Sequence, residues 1–215
     1  MNPFDLITGD HKKDQEMIQF LYRSALKKMN TKIEILEEEF RKIHQYDPIE
    51  HVTSRIKTEK SIARKLSREG REVSIENALR FLNDIAGVRI VCSFTSDIYK
   101  IADMLSEQDD VKVLLIKDYI ANPKANGYKS YHMIVSIPVF IARGPVDVRV
   151  EIQIRTIAMD FWASLEHKIY YKFEGAAPEY IKDELSECAK MIHALDERML
   201  ALNEAIRQLE GKDEE

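Results

Sequence analysis

The stretch Val146-Asp-Val-Arg-Val-Glu-Ile-Gln-Ile-Arg155 alternates strictly between apolar and polar residues. Side chains of a β-strand point to alternate faces, so this pattern predicts a strand with five apolar groups facing a core and five polar groups on the other face. The commoner interpretation of such alternation is a surface strand with water on its polar face. Here, however, the polar face carries two acids, two arginines and a glutamine. A carboxylate between cations also suits a metal site or a general base beside phosphate groups.

The rest of the sequence predicts a mixed sheet between long helices. Apolar β-rich runs predict strands at Gly87–Phe94, Val111–Ile116 and Tyr131–Phe140, and a turn or short strand is expected at His51–Lys57. Helical periodicity and capping residues predict helices over Asp14–His44, Thr58–Glu69, Ser74–Leu82, Ser96–Glu107 and Thr156–Glu210, the last interrupted near Gly175–Pro178. We therefore expect a single α/β or α+β domain over residues 1–215, with a central mixed sheet of four or five strands.

The last predicted helix has an unusually regular apolar seam. Its apolar positions step by four and three residues without a break, at Ile181, Leu185, Cys188, Ile192, Leu195, Met199, Leu202, Ile206 and Leu209. A sustained spacing of 3.5 residues favours packing against another helix. That helix is either the first long helix of the same chain or part of a second subunit, and both arrangements can occur in one oligomer.

Composition argues against several classes of protein. Hydrophobic residues make up 45% of the chain and charged residues 32%, which favours a folded domain with a buried core. The two cysteines lack metal-ligand spacing and fit a reducing compartment. No apolar run approaches the roughly 18 residues that a membrane span requires. We therefore expect a cytoplasmic protein without membrane association.

The formal net charge of −5 conceals one concentrated cationic segment. Seven lysines and arginines but only two acids lie between Val52 and Arg71, whereas Glu210 to Glu215 carries four acids. Proteins that bind long nucleic acid usually present a broad basic face. A single cationic segment in an acidic protein therefore indicates a small polyanion as the ligand rather than long nucleic acid. Because neither a GxxxxGK[ST] nor a GxGxxG motif is present, we expect side chains to bind any phosphates.

Two further segments could carry chemistry. Asp84 precedes a predicted strand, and Mg²⁺ is commonly bound by one or two carboxylates together with substrate phosphates. A turn or capping role is the alternative for this residue. Between Lys117 and His132, three tyrosines and a histidine lie among three lysines, and Asn126-Gly127 predicts a turn. Such a segment can stack on a base and neutralise phosphates, or it can be a hairpin whose aromatic side chains pack on the sheet.

Five ordered motifs together resemble the synthetase domain of the RelA/SpoT-type (p)ppGpp synthetases. They are Arg55-Ile-Lys57, Asp84-Ile-Ala-Gly-Val-Arg89, Lys117-Asp-Tyr-Ile-Ala, Asn126-Gly-Tyr-Lys-Ser-Tyr-His132 and Val150-Glu-Ile-Gln-Ile-Arg-Thr156. The resemblance covers roughly Val52 to Lys172, and the short chain resembles the stand-alone small alarmone synthetases, particularly the RelQ type. It implies a nucleotidyltransferase-like fold and a stringent-response enzyme that transfers pyrophosphate from ATP to the ribose 3′-hydroxyl of GDP or GTP.

The resemblance also implies roles for individual residues. The cations expected to bind ATP are Arg55, Lys57, Lys65, Arg68 and Arg89. Asp84 and Glu151 are expected to bind Mg²⁺, and Glu151 is also expected to help deprotonate the attacking hydroxyl. Tyr128 is expected to stack on guanine, with the rest of the acceptor site formed by Lys117, Tyr119, Lys124, Asn126, His132, Gln153 and Ala163. Trp162 is expected either at the wall of this pocket or in the core.

Assembly and regulation are expectations from the resemblance alone. The resemblance to small synthetases implies a homotetramer, and regulation by an alarmone or by RNA is a further expectation. The chain has no His-Asp dipeptide and no room for the hydrolase domain of long family members, so it is expected to synthesise and not degrade. The alternative function is a catalytically silent nucleotide- or RNA-binding module on the same fold. The preferred acceptor among GMP, GDP and GTP is left open.

Overall fold

The computed structural model describes residues 1–173 and 177–210. Its strands are β1 (Ile49–Ile56), β2 (Ala86–Cys92), β3 (Lys112–Asp118), β4 (Tyr131–Ile141) and β5 (Gly144–Thr156). Its helices are α1 (His11–His44), α2 (Glu59–Arg68), α3 (Ile75–Phe81), α4 (Thr95–Ser106), α5 (Ile157–Lys172) and α6 (Glu179–Glu210), and a short 3-10 turn at Pro3–Leu6 precedes α1.

The strands form one mixed sheet in the order β1-β2-β5-β4-β3. β2 and β5 run parallel, and the other neighbouring pairs are antiparallel. This confirms the predicted mixed sheet, and it shows that His51–Ile56 belongs to strand β1, with Lys57 directly after it. Because β5 is the central strand, its polar side chains lie in the middle of one face of the sheet.

Three helices begin where the sequence offers a capping side chain. The Asp10 carboxylate accepts a hydrogen bond from the backbone amide of Lys13, at the start of α1, at 3.3 Å. Thr58 and Ser74 accept equivalent bonds from backbone amides at the starts of α2 and α3, at 3.3 Å and 3.1 Å. These bonds satisfy amides that have no partner within their helices, so the local sequence determines where each helix begins.

The core lies between the apolar face of the sheet and the helices α1 and α4. The alternating apolar residues of β5, from Val146 to Ile154, are completely buried in one cluster. Leu21 and Met29 of α1 and Ile98 of α4 belong to the same cluster and are also completely buried. The apolar side chains of β5 are thus packed in the core, and its polar side chains lie on the opposite face of the sheet.

Helix α6 does not pack along α1, and that interpretation of its seam is wrong. Its contacts are mainly with α5 and α4. It approaches the end of α1 only near its own C-terminus, where the Arg207 guanidinium lies 4.9 Å from the centroid of the Tyr46 ring. The first half of the seam is partly covered, whereas the second half is largely exposed at Leu195, Met199, Leu202, Ile206 and Leu209.

Two features of the sequence lie wholly or partly outside the described residues. The predicted interruption near Gly175–Pro178 falls partly on residues 174–176, and most of the acidic terminus falls on residues 211–215. Among the helices of residues 1–173 and 177–210, none is both long enough and apolar enough to cross a bilayer.

Candidate active site

The strand order brings the predicted site residues together on the polar face of the sheet. In the parallel pair of β2 and β5, Arg89 lies opposite Gln153, and in the antiparallel pair of β4 and β5, His132 lies opposite the same glutamine. Glu151 is two residues along β5 on the same face. Segments far apart in the chain, around residues 84–89, 126–132 and 150–156, therefore meet at one place.

Asp84 lies between two lysines at one end of this site. Its carboxylate accepts hydrogen bonds from Lys57 Nζ at 2.6 Å and from Lys65 Nζ at 2.8 Å. Burial alone would raise the pKa of Asp84, but the hydrogen bonds and charges of the two lysines outweigh it and lower the pKa below its ordinary value. These contacts are with charged side chains that follow β1 and lie on α2, so a simple turn or capping role does not describe Asp84.

The other predicted ATP-binding cations lie on the neighbouring elements, Arg55 on β1, Arg68 on α2 and Arg89 on β2. Arg55 and Arg68 are exposed, and Arg89 is half-buried with its Nη1 3.2 Å from the Asp160 carboxylate. Burial and the nearby Arg155 guanidinium lower the pKa of Arg89, and Asp160 opposes this shift. The cluster thus presents exposed guanidinium groups beside cations that are already paired with carboxylates.

Glu151 lies next to this cationic cluster and is itself hydrogen-bonded. Gln153 Nε2 donates to its Oε2 at 2.9 Å, and His132 Nδ1 is 3.5 Å from its Oε1. Burial opposes ionisation, but His132 and Gln153 together lower the pKa of Glu151, and the negative charge of Asp84 acts in the opposite direction. Glu151 is therefore an ionised, oriented carboxylate close enough to Asp84 to feel its charge.

Asp84 and Glu151 fit a magnesium ion by the chemistry of their donors. Both supply hard carboxylate oxygens, and Mg²⁺ in nucleotide enzymes is usually held by one or two carboxylates plus phosphate oxygens. No group of three or more potential metal-ligating side chains occurs within residues 1–173 and 177–210. The pair therefore fits a metal that arrives with a phosphate ligand better than a metal held by protein ligands alone.

Three aromatic rings cluster beside Glu151, and we refer to this cluster as the aromatic pocket. The ring centroids of Tyr119 and Tyr128 are 6.0 Å apart, and His132 lies 5.2 Å and 5.9 Å from them, with all three pairs edge to face. The Lys124 ammonium lies over both tyrosine rings, 4.8 Å and 4.6 Å from their centroids. Lys117, by contrast, is exposed on the edge strand β3, opposite His132 in the strand register.

The predicted Asn126-Gly127 turn is confirmed. Gly127 has a positive φ of 85°, and its amide donates to the Lys124 carbonyl at 2.8 Å. The Asn126 side chain accepts from the Tyr128 amide at 3.2 Å and donates to Glu166 of α5 at 3.2 Å. The turn directs Tyr128 into the pocket and attaches the loop to α5.

Helix α6 supports this loop, a role that the sequence did not indicate. A β-carbon placed on Gly127 would lie 2.5 Å from Cβ of Ala189 in α6. Trp162, Ala163 and Ala189 form a small buried cluster against which Tyr128 packs, and Trp162 Nε1 donates to the Leu185 carbonyl at 2.9 Å. Trp162 is thus a packing residue that backs the pocket, and Ala163 lies beside it.

Two residues that sequence reasoning left without a role join the two halves of the site. Arg155 is 5% exposed and donates from Nη2 to the Tyr128 hydroxyl at 2.6 Å. The same Asp160 oxygen accepts from Arg155 Nη1 at 3.1 Å and from Arg89 Nη1 at 3.2 Å. The alternation of β5 placed Arg155 on the polar face, but no pattern in the sequence pairs it with Asp160.

Comparisons with known proteins give a consistent set of relatives. A family model described as the region found in RelA / SpoT proteins matches residues 54–176. GTP pyrophosphokinase YwaC of Bacillus subtilis is 47% identical over 186 residues, which are 86% of this chain and 89% of that protein. The crystal structure of small alarmone synthetase 2 from B. subtilis superposes with a TM-score of 0.82 and 45% identity, covering 89% of this chain and 99% of that one.

A second solved structure was determined with a nucleotide product. Small alarmone synthetase 1 from B. subtilis, bound to its product pppGpp, superposes with a TM-score of 0.83 and 36% identity. The match covers 90% of this chain and 98% of that one. The fold that carries the candidate site therefore has counterparts of similar length among solved structures.

Proposed function

Since the chain belongs to the RelA/SpoT family, we propose that it is a small (p)ppGpp synthetase that transfers the β,γ-pyrophosphate of ATP to the ribose 3′-hydroxyl of GDP or GTP. The products are ppGpp or pppGpp and AMP. The observation that carries this proposal is the meeting of three groups on one sheet face. An ionised carboxylate, Glu151, lies between a lysine-bound carboxylate and a pocket of tyrosine and histidine rings.

The cationic cluster is the proposed binding site for ATP. Lys57 and Lys65 are now engaged by Asp84 and can exchange this partner for phosphate oxygens, which are also anionic acceptors. Exposed Arg55 and Arg68 can close over the triphosphate because bidentate guanidinium contacts match phosphate geometry. Several cations around one phosphate chain stabilise the charge that builds on its oxygens as the bond to AMP breaks.

The aromatic pocket is the proposed site for the guanine nucleotide. Tyr128 can present its ring face to the base, with Tyr119 and His132 closing the sides. Lys124 and Lys117 supply positive charge for the acceptor phosphates, and Asn126 and Gln153 supply hydrogen-bonding groups. Positioning of two nucleotides against each other provides much of the rate gain in such a transfer.

Glu151 is the proposed general base. Its lowered pKa leaves it ionised at neutral pH, and the hydrogen bond from Gln153 and the contact with His132 hold the carboxylate in place. It takes the proton of the 3′-hydroxyl as that oxygen attacks the β-phosphorus, and the bond from the β-phosphorus to the AMP oxygen breaks. Asp84 and Glu151 would hold Mg²⁺, which when bound favours the alkoxide and neutralises charge on the phosphates.

The exposed half of the α6 seam supports a homo-oligomer. Five large apolar side chains along one helix are a surface that soluble monomers rarely leave uncovered, and a second copy of the chain can cover it. A tetramer, as expected from the resemblance to small synthetases, is the assembly we propose. Sedimentation velocity should give a mass about four times that of the monomer, and Leu202→Glu should lower it; a wild-type mass equal to that of the monomer would contradict the proposed assembly.

Thin-layer separation of products from γ-labelled ATP with GMP, GDP or GTP tests the activity directly. We expect label in a guanosine product and a matching release of AMP, and the comparison ranks the three acceptors. Glu151→Gln keeps the size of the side chain and removes the base, so transfer should fall by at least about a hundredfold. Folded wild-type protein that binds GDP but yields no labelled guanosine product would instead support a silent binding module.

A further inference from the structure

Arg155 occupies the centre of a buried hydrogen-bond network that joins the two proposed subsites. Its guanidinium donates to the Tyr128 hydroxyl, to Gln153 Oε1 at 2.8 Å and to Ser130 Oγ at 3.2 Å. It also donates to the Asp160 carboxylate at 3.1 Å. Because a planar guanidinium has five donors in a fixed fork, one side chain can satisfy four partners at once and fix their relative positions.

The bond to Tyr128 determines how that ring is held. The phenol oxygen accepts from Arg155 at 2.6 Å, so its own hydrogen is free to point at His132 Nε2, 2.8 Å away. The ring is thereby fixed at its hydroxyl edge by two partners. These two hydrogen bonds fix the orientation of the Tyr128 ring before the guanine nucleotide binds. Less conformational entropy is therefore lost on binding.

Asp160 extends the network towards ATP. One carboxylate oxygen lies within 3.2 Å of both Arg89 and Arg155, so it offsets the repulsion between two neighbouring guanidinium groups. Without that carboxylate, the two arginines would face each other in a half-buried setting where like charges are costly. The positions of Arg89, on the proposed ATP side, and of Arg155, on the proposed guanine side, are therefore linked through a single oxygen of Asp160.

We propose that Arg155 is a positioning residue for the guanine nucleotide and that Asp160 is the positioning residue that links it to Arg89 on the ATP side. This inference rests on the proposed function. Neither residue touches the reacting atoms. Arg155 acts through Tyr128, and Asp160 acts through the two arginines.

The test is a double-mutant cycle on GDP affinity, measured by isothermal titration calorimetry in the absence of ATP. Arg155→Lys keeps the charge but removes the fork, and Tyr128→Phe keeps the ring but removes the hydroxyl. Each single variant should weaken GDP binding by roughly 10-fold, because each removes the same charge-assisted hydrogen bond. The double variant should be no more than about 2-fold weaker than the weaker single variant, since residues that share one bond are not additive.

Steady-state kinetics separate the two positioning roles. Arg155→Lys should raise KM for the guanine nucleotide and leave KM for ATP within about 2-fold, whereas Asp160→Asn should raise both by about 5-fold or more. The matched control is Arg149→Lys, another arginine of β5, whose guanidinium bonds Asn83 at 2.7 Å and the Leu79 carbonyl at the far end of the site. It should leave GDP affinity within about 2-fold.

Specific outcomes would overturn the inference. A folded Arg155→Lys protein with wild-type GDP affinity would remove Arg155 from this role, and so would fully additive losses in the double variant. Should Arg155→Lys fail to fold, Tyr128→Phe and Asp160→Asn still decide the matter, because unchanged KM values in both would contradict the network. Wild-type protein that binds no GDP refutes the proposed function itself, which is a different result from GDP binding that is insensitive to Arg155.

Discussion

Replacing Gly127 with alanine tests whether the Asn126-Gly127 turn must lie against α6 for the enzyme to bind its guanine nucleotide. The new β-carbon would be 2.5 Å from Cβ of Ala189, whereas carbon atoms pack at about 3.5–4.0 Å. Either the turn or the helix therefore has to move by roughly 1 Å or more, and Tyr128 is the next residue in the chain. A displacement of about 1 Å in a substrate-positioning group can cost on the order of a hundredfold in rate.

A second effect of the substitution has to be separated from the clash. Gly127 has a φ of 85°, so alanine there also carries backbone strain of about 1–2 kcal/mol. Gly9 has the same φ of 85°, but a β-carbon at that position would have no atom within 4 Å, and Gly9 lies in the N-terminal segment. Gly9→Ala therefore measures the strain alone, which we expect to lower Tm by about 2–8 °C without changing the kinetics.

The assay is pyrophosphate transfer with kcat/KM determined for the guanine nucleotide and for ATP. Gly127→Ala should lower kcat/KM for the guanine nucleotide by about a hundredfold, through KM more than through kcat. Adding Ala189→Gly removes the opposing β-carbon but leaves the backbone strain, so it should recover about 10-fold of that loss. Wild-type kinetics for Gly127→Ala, or no recovery in the double variant, would refute the claim that contact with α6 positions the loop.

Three further predictions concern single side chains. Asp84→Asn should abolish transfer, measured by product separation, while circular dichroism stays native; transfer at the wild-type rate would remove Asp84 from the site. Hydrogen bonds from two lysines hold the pKa of Asp110 at about 2, below its ordinary value. The contribution of ionised Asp110 to the stability of the folded protein is therefore complete above about pH 4 and is lost as the pH falls through 2. Asp110→Asn should thus lower the free energy of unfolding, measured with urea, by at most about 1 kcal/mol at pH 7, because the ion pairs are partly exposed. Below about pH 2 the substitution should have almost no effect. An equal loss at both pH values would contradict this linkage. Burial raises the pKa of the Cys92 thiol, so a thiol reagent should modify Cys188 in the native protein and Cys92 only after unfolding; fast modification of both would show that Cys92 is accessible.

The elements that local sequence controls were predictable. The alternation from Val146 to Arg155 predicted a strand and identified which of its side chains are buried, because a one-residue shift in register would exchange the two faces. Whether the polar face carried a site or only water was left open, and the central position of the strand came from the structure. The predicted helix start near Thr58 and the predicted cap at Ser74 lie within a residue of the helix starts in the structure, where both side chains act as caps. Periodicity and capping are local properties, so one sequence suffices to detect them.

The contacts between distant segments were not predictable in the same way. The regular seam of α6 correctly indicated a helix but not its neighbours, since a 3.5-residue spacing says that something packs there and not what. The bond between Arg155 and Asp160 depends on how α5 leaves the end of β5, and the contact of Gly127 with Ala189 depends on where α6 returns. Both are consequences of tertiary packing that no spacing in the sequence records.

The side chain of Lys124 occupies a face of the rings that we propose as the base-binding site. Its ammonium lies over the rings of both Tyr119 and Tyr128, where a base would stack, and cation–π contacts contribute about 0.5–1 kcal/mol each at an exposed site. A base that stacks there as proposed displaces this ammonium, which regains favourable surroundings when the ligand also brings an anion. Guanosine without phosphates offers no such exchange. We therefore expect the proposed acceptor site to discriminate between nucleotides and nucleosides.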